Sequence, residues 1–205
     1  MRRMRFAIVL LFLAFATFSL TWATGNNCSR FGIQFVSPTG DLRDIELDEV
    51  LEADNALGIS FGYEHVFFDK VGIDFNVAYS KHDLKLTEMG ETTTIGDIEM
   101  MMSFTAGVNF HMVRNTFVDL YIGPFAGYVL FGDINPSGPE ESTYSINSDF
   151  SVGGVLGFDV AFTGKGFMFT SALKYMKVKA ETDVADSEEL DIDPWVLQIG
   201  LGYRF

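Results

Sequence analysis

The chain has 205 residues, carries a formal net charge of −14 and is 48% hydrophobic, with 21 phenylalanines. So acidic a protein is not a general nucleic-acid binder, because contacts to phosphates need Lys and Arg. The single cysteine, Cys28, excludes an internal disulfide. High apolar content without long apolar runs after residue 23 is typical of alternating strands.

The first 23 residues predict a secretory signal peptide. Three arginines, at positions 2, 3 and 5, precede the apolar run 6–20, and Thr21-Trp22-Ala23 follows it. This order is that of exported proteins. A retained helical anchor is the alternative, since the run is almost long enough to span a membrane. We expect residues 1–23 to be removed and residues 24–205 to form a single outer-membrane β-barrel domain.

Eight later segments alternate large apolar residues with small or polar ones, a period of two that indicates strands. In chain order they cover residues 31–36, 57–64, 71–80, 100–111, 118–129, 152–162, 167–176 and 194–205. The last segment has six apolar residues on one face: Trp195, Leu197, Ile199, Leu201, Tyr203 and Phe205. In a soluble sandwich such a face is a core, whereas in a membrane barrel it faces lipid.

The connections between these segments alternate in length. Long, polar or acidic stretches at 38–55, 87–94, 132–148 and 182–189 alternate with short turns near residues 69, 115 and 165. A soluble fold has no reason to gather every long connection at one end. The pattern therefore predicts an all-β fold, an eight-stranded antiparallel transmembrane β-barrel with short periplasmic turns and long extracellular loops. Its location would be the outer membrane of a Gram-negative cell.

The alternation turns several charged residues towards the barrel interior. Six of them lie near the short-turn end: Arg30, Glu64, Asp74, Asp119, Asp159 and Arg204. Lys174 lies higher. Buried charges must be paired, which favours a salt-bridged floor that closes the barrel. The alternative is a charged constriction that selects ions.

Above this floor the inward residues become apolar. The predicted lining of the upper lumen is Met101, Phe125, Val129, Met168, Met176 and Val196. These side chains could be the packed core of a narrow barrel. They could equally line a channel in which flexible methionines adapt to varied apolar solutes.

No residue set predicts catalysis or a cofactor. His82 faces the lumen near Ser80, but two positions along one strand are expected to hold these side chains too far apart for a catalytic dyad. The acidic loops lack the spacing of a calcium-binding EF-hand and predict a solvated face rather than a metal site. We therefore expect no enzymatic activity, no metal and no cofactor.

Two stretches, LGISFGYEHVFFDKVGIDFNVAYSKH within residues 55–86 and the tail IDPWVLQIGLGYRF, resemble the OmpW family of outer-membrane barrels. The resemblance implies an eight-stranded barrel with an apolar lumen that passes small hydrophobic molecules and releases them sideways into the bilayer. The family carries prolines at the start of the fourth strand, where this chain has Met100-Met101-Met102. Pro124 is then the proline available inside a strand to weaken pairing.

The predicted function is therefore a passive channel for small hydrophobic molecules. The alternative is a closed structural or adhesin barrel that acts through its extracellular loops. Expected partners are outer-membrane lipid and lipopolysaccharide, small hydrophobic solutes, and the barrel-assembly machinery. The C-terminal strand ending at Phe205 resembles the signal that this machinery recognises. Nucleic acid is not an expected partner.

Overall fold

A computed structural model describes residues 26–39, 41–44, 49–88, 91–136, 147–163, 166–181 and 189–205. The predicted signal peptide, residues 1–23, lies outside these ranges, as does part of each long connection. No helix among the described residues is long and apolar enough to cross a membrane.

Twelve strands are present in these ranges. They are β1 (Asn27–Ser37), β2 (Asp41–Asp44), β3 (Glu49–Ala53), β4 (Ala56–Phe67), β5 (Val71–Glu88), β6 (Glu91–Arg114), β7 (Val118–Phe131), β8 (Ile134–Pro136), β9 (Asp149–Ala161), β10 (Gly166–Glu181), β11 (Glu189–Asp191) and β12 (Trp195–Arg204). Eight of them, β1, β4, β5, β6, β7, β9, β10 and β12, form an antiparallel ring that closes where β1 pairs with β12. The predicted eight-stranded antiparallel barrel is confirmed.

The alternating pattern sets the two faces of each barrel strand. Along β12, Val196, Gln198 and Arg204 are buried in the interior, and the large apolar residues between them are exposed. The same pattern holds in β1, where Phe31, Ile33 and Phe35 point outwards. An exposed apolar band of this kind is stable only in lipid, and closure leaves no unpaired barrel edge in the bilayer.

Tight turns close the short-turn end. Between β4 and β5, Phe68 and Asp69 both have positive φ values, 53° and 57°, and Lys70 N donates a 3.1 Å hydrogen bond to Phe67 O. Positive φ at both central residues gives a turn whose twist matches the flanking strands. Between β6 and β7, Asn115 Oδ1 accepts hydrogen bonds from Phe117 N and Val118 N at 2.9 and 2.8 Å.

The long-loop end differs from the sequence prediction. The stretch predicted as a polar loop, residues 87–94, belongs largely to β5 and β6, which remain paired as far as Glu88 and Glu91. We call residues 81–98 the ribbon. Strand β3, inside the predicted loop 38–55, pairs with the β5 side of the ribbon. The part of the ribbon at residues 91–94 escaped prediction because a strand pair with water on both sides needs no apolar alternation, and Thr92, Thr93 and Thr94 are exposed. Nearer the barrel, His82, Leu84 and Ile98 of the ribbon are buried.

Candidate functional site in the barrel lumen

Arg30 is the centre of a buried ion cluster near the short-turn end. Its Nη2 lies 2.7 Å from Glu64 Oε2 and 2.8 Å from Asp159 Oδ2, and its Nη1 lies 3.7 Å from Asp74 Oδ1. The Arg30 guanidinium also sits 4.8 Å from the centre of the Tyr121 ring. The side chains of Arg30, Glu64 and Asp159 are at most 5% exposed. Burial of charge at this depth requires such pairing.

A second group of charges lies closer to the turns. Asp119 Oδ2 is 3.3 Å from Arg204 Nη2 and 3.7 Å from Arg114 Nε. His111 connects the two groups, because its Nδ1 contacts Asp119 Oδ1 and its Nε2 lies 3.3 Å from Glu64 Oε1. The two groups together form a continuous polar layer across the barrel, which we call the floor.

Small residues on the inward face make room for the large ones of the floor. A Cβ placed on Gly72 would lie 2.2 Å from Glu64 Oε1, and a Cβ on Gly157 would lie 2.3 Å from Tyr121 Cζ. Neither contact is physically possible without a shift. The local sequence therefore pairs an inward glycine with a bulky or charged neighbour on the adjacent strand.

The structure brings all six predicted floor residues into these two groups. Arg30, Glu64, Asp74 and Asp159 share the first, and Asp119 and Arg204 share the second. Three members were missed, namely His111, Arg114 and Asn109, whose Nδ2 donates a 2.6 Å hydrogen bond to Glu64 Oε1. The alternation across residues 100–111 places Asn109 and His111 on the inward face, but neither side chain has a formal charge, so a search for inward charges misses them. Arg114 lies next to the short turn near residue 115, outside the predicted strand.

Above the floor lies a small cavity of about 30 Å³. Four of the predicted lumen residues, Met101, Phe125, Met176 and Val196, are among those that line it. Its other lining residues are Gln34, Val36, Asn76, Ala78, Ser80, Ser103, Thr105 and Lys174. A Cβ on Gly153 would lie 2.5 Å from Phe125 Cζ, so this glycine gives the Phe125 ring its place. The wall therefore combines apolar and neutral polar groups with one cation.

The lumen above this cavity is filled by an apolar cluster, which we call the plug. Its buried members are Leu84, Ile98, Met101, Val129, Phe131, Met176, Val178 and Ile192, none more than 8% exposed. Val129, predicted to line the lumen, is fully buried here. The cavity thus lies between the plug and the floor.

Met168 departs from the prediction. It was expected above the floor, but it is two residues from the start of β10, faces Gly202 in the ladder, and packs with Cys28 and Ala161 at the short-turn end. Its side chain points inwards and is fully buried, as the alternation requires. Alternation fixes the direction of a side chain, whereas its height depends on where the strand begins and how it tilts.

The expected separation of Ser80 and His82 is also wrong. Ser80 Oγ lies 2.9 Å from His82 Nε2, and His82 Nδ1 lies 2.9 Å from the Asp54 backbone oxygen. The β5–β6 register shifts between Ser80 and His82, so the strand is irregular at this point. The Asp54 carboxylate contacts Lys85 at 2.6 Å instead of the imidazole. These contacts tie the segment before β4 to the ribbon.

The described residues contain no group of three or more His, Cys, Asp and Glu side chains suited to hold a metal ion.

A closed eight-stranded antiparallel barrel with an apolar outer band and a polar floor defines an integral outer-membrane β-barrel. The OmpW family model matches residues 24–205, and the chain belongs to that family. OmpW-family barrels are structural or transport proteins rather than enzymes, and their setting is the lipid of the outer membrane.

Known relatives agree in sequence and fold. Outer membrane protein W of Vibrio cholerae serotype O1 is 26% identical over 198 residues, covering 88% of this chain and 89% of that protein. The crystal structure of OprG from Pseudomonas aeruginosa superposes with a TM-score of 0.75 at 22% identity, covering 88% of this chain and 96% of that one. The structure of AlkL in lipid bilayers gives a TM-score of 0.62 at 18% identity, covering 88% and 90%.

Proposed function

We propose that the protein is a passive path through which small hydrophobic molecules enter from the extracellular end of the lumen and leave sideways into the bilayer. The proposal agrees with what the family resemblance implies. It depends on three features of the lumen, namely an apolar upper part, a closed floor and a weak point in the barrel wall.

The upper lumen offers a suitable surface for apolar solutes. Met101 and Met176 belong both to the plug and to the cavity wall. Methionine side chains are unbranched and flexible, so they can reorient around solutes of different shape. A solute that displaces them would reach the ring of Phe125, which contacts the plug from below.

The floor opposes straight passage to the periplasm. Arg30 and its carboxylates are linked across the barrel from β1 to β4 and β9. Parting these groups would leave buried charges unpaired, at a cost of about 3–5 kcal/mol for one broken pair. An apolar solute cannot compensate for this loss. The lower-energy route is therefore through the wall.

The β6–β7 ladder is interrupted beside the cavity, and this interruption is the main support for the proposal. Between these two described strands the register runs to Gly107↔Phe125 and resumes at Phe110↔Ile122, so Pro124 and Gly123 have no ladder partners in β6. Proline has no N–H to donate, which accounts for the interruption. Phe125 lines the cavity and directly follows Pro124. The weak point thus adjoins the chamber at the edge of the floor, where Asn109 of β6 lies opposite Gly123.

A reversible lock across this interruption tests the proposal. We expect that an Ala106→Cys/Ala126→Cys pair, which joins β6 to β7 two positions from Pro124 and leaves the proline in place, stops uptake of radiolabelled naphthalene once oxidised, measured in a Cys28→Ser background with vesicles that have an outer leaflet of lipopolysaccharide. Reduction of the disulfide should restore uptake. The matched control is Ala126→Cys/Val152→Cys, which joins a regular position of the β7–β9 ladder. Equal uptake by the oxidised and reduced forms of the first variant would exclude this exit.

A second function, that of a closed barrel acting through its extracellular loops, is favoured by the plug and by the ribbon. The plug, to which the ribbon contributes Leu84 and Ile98, fills the extracellular end of the lumen. The rest of the ribbon, with exposed Thr92 and Thr93, continues the β5–β6 pairing beyond the plug. Under this function the parent protein would add nothing to naphthalene uptake. Shortening the ribbon would then abolish binding of the cell to surfaces.

Two further partners are part of the proposal. Phe205 N donates a 3.0 Å hydrogen bond to Asn27 O, and its ring lies 5.5 Å from that of Tyr203. The barrel-assembly machinery would recognise β12 together with the terminal aromatic residue Phe205. Lipopolysaccharide would surround the extracellular half of the apolar band.

A further inference from the structure

Lys174 differs from the other cations of the lumen. Arg30, Arg114 and Arg204 are each paired with carboxylates of the floor. Lys174 lies on β10 above them, partly buried, and takes part in none of the ion pairs of the described barrel. Its partners across the two ladders, Val196 and Val155, are uncharged. Asp74 attracts the ammonium electrostatically, but the two form no ion pair within 4.0 Å, and Asp74 Oδ1 already lies 3.7 Å from Arg30 Nη1. An inward ammonium without a carboxylate in direct contact is uncommon, because buried charge is costly.

Lys174 lines two cavities. One is the cavity beneath the plug, in which Lys174 alone of twelve lining residues carries a charge. The other, of about 20 Å³, lies beneath it and includes Asp74 and Arg30 in its wall. The ammonium therefore lies at the boundary between the upper cavity and the ion cluster.

Neutral polar groups surround this boundary. Gln34, Asn76 and Thr105 line the upper cavity with Lys174, and Gln198 lines the lower one. Their amide and hydroxyl groups can donate hydrogen bonds to an anionic oxygen. Phe125, Val196 and the plug methionines Met101 and Met176 supply apolar parts of the same wall, next to Ser80 and Ser103. The chamber thus offers a cation and hydrogen-bond donors together with apolar side chains.

We propose that the preferred solutes are small amphipathic carboxylic acids, held with the carboxylate at Lys174 and the apolar chain towards the plug. This inference rests on the proposed function and narrows its substrate class. The charge-assisted hydrogen bond from an ammonium to a carboxylate is stronger than one between neutral groups. A neutral solute of the same size would lack it.

The floor determines how far such an anion travels. Glu64, Asp74 and Asp159 surround Arg30 immediately below, and their combined charge repels an anion that moves past Lys174. The carboxylate therefore stops at the height of Lys174. Exposed acidic residues outside the barrel, such as Glu52 and Asp83, also repel an approaching anion, but salt screens that interaction.

Binding of hexanoate and of its neutral analogue hexanamide tests the inference. The full barrel in lipid nanodiscs, labelled with ¹³C at the methionine methyls, would be titrated with each compound at about pH 8, where hexanoate is ionised. The signals of Met101 and Met176 report on the chamber, and that of Met168, which packs with Cys28 and Ala161 at the short-turn end, is an internal reference. We expect hexanoate to bind about tenfold more tightly than hexanamide.

Variants separate charge from packing. Lys174→Met should abolish the preference for hexanoate while hexanamide still binds, and Lys174→Arg should keep the preference. Equal affinities in the parent protein, or an unchanged preference in Lys174→Met, would overturn the inference and leave the hydrophobic path intact. If neither compound perturbs Met101 or Met176 in the parent, the chamber is not a binding site. The proposed function then fails together with the inference.

Discussion

Arg30 Nη2 donates a 2.7 Å hydrogen bond to Glu64 Oε2, and both side chains are almost completely removed from solvent. The two residues lie on neighbouring strands, β1 and β4, near the short-turn end of the barrel. Strand β1 also closes the ring by pairing with β12. The contact between Arg30 and Glu64 therefore joins this closing strand to the ion cluster. It makes the floor a structural element as well as a barrier.

Replacing Arg30 tests the structural role. We expect Arg30→Met to lower the free energy of unfolding by about 3–5 kcal/mol, because Glu64 and Asp159 would remain buried without their cation. Urea unfolding in lipid vesicles, followed by gel mobility of the folded barrel, measures the change. Lys70→Met, in the exposed β4–β5 turn, is the control and should have little effect. Undiminished stability of Arg30→Met would refute the role assigned to the cluster.

Arg204 and Arg114 should compensate for each other. Both approach Asp119 Oδ2, at 3.3 and 3.7 Å. Either single change to methionine leaves one guanidinium near this carboxylate, whereas the double change leaves none. We expect the loss of stability in the double variant to exceed the sum of the two single losses. Additive losses in this double-mutant cycle would mean that the two arginines act independently.

The fold was predictable because lipid imposes one rule on every strand. Outward residues such as Ile33 and Leu201 must be apolar along the whole span, so the period of two persists in the sequence. The same rule determines which side chains point inwards, so the six charged residues of the floor could be predicted from the sequence. The rule does not determine the height of a side chain along the barrel axis, so the level predicted for Met168 is wrong.

The extracellular end was harder to predict for a physical reason. Beyond the bilayer, both faces of a strand pair meet water, and Thr92 or Thr94 gives no alternating signal. The contact between Ser80 and His82 lies beside a shift in strand register, which a pattern of residue types does not report. The interruption of the ladder at Pro124, in contrast, could be anticipated from the missing N–H of proline.

The contact between Asp54 and Lys85 predicts a pH dependence at the ribbon. The hydrogen bond from Lys85 Nζ, together with one from Asn55 N, holds the pKa of the Asp54 carboxyl below its ordinary value. Because the pKa of Asp54 is lower in the folded than in the unfolded protein, the contact stabilises the fold at pH values above the ordinary aspartate pKa. The stabilisation is lost as the pH falls through the folded-state value.

Carboxyl NMR titration of Asp54 measures this effect. Lys85→Met should raise the midpoint towards that of an ordinary aspartate. Lys81→Met, which removes a comparable pair with Asp97 at 2.9 Å, should leave the Asp54 midpoint unchanged. A midpoint that is the same in the parent and in Lys85→Met would show that the contact does not form in the membrane-embedded protein.

The lumen is the proposed path for hydrophobic molecules. This path is tested most directly by placing a charge on the cavity wall and measuring naphthalene uptake by vesicles with an outer leaflet of lipopolysaccharide. Phe125→Asp should reduce uptake to the level of protein-free vesicles while the barrel still folds, because an apolar solute would meet a desolvated carboxylate. Thr93→Asp, which adds the same charge to the exposed ribbon, should transport as the parent does. If Phe125→Asp also transports at the parental rate, the lumen is not the path.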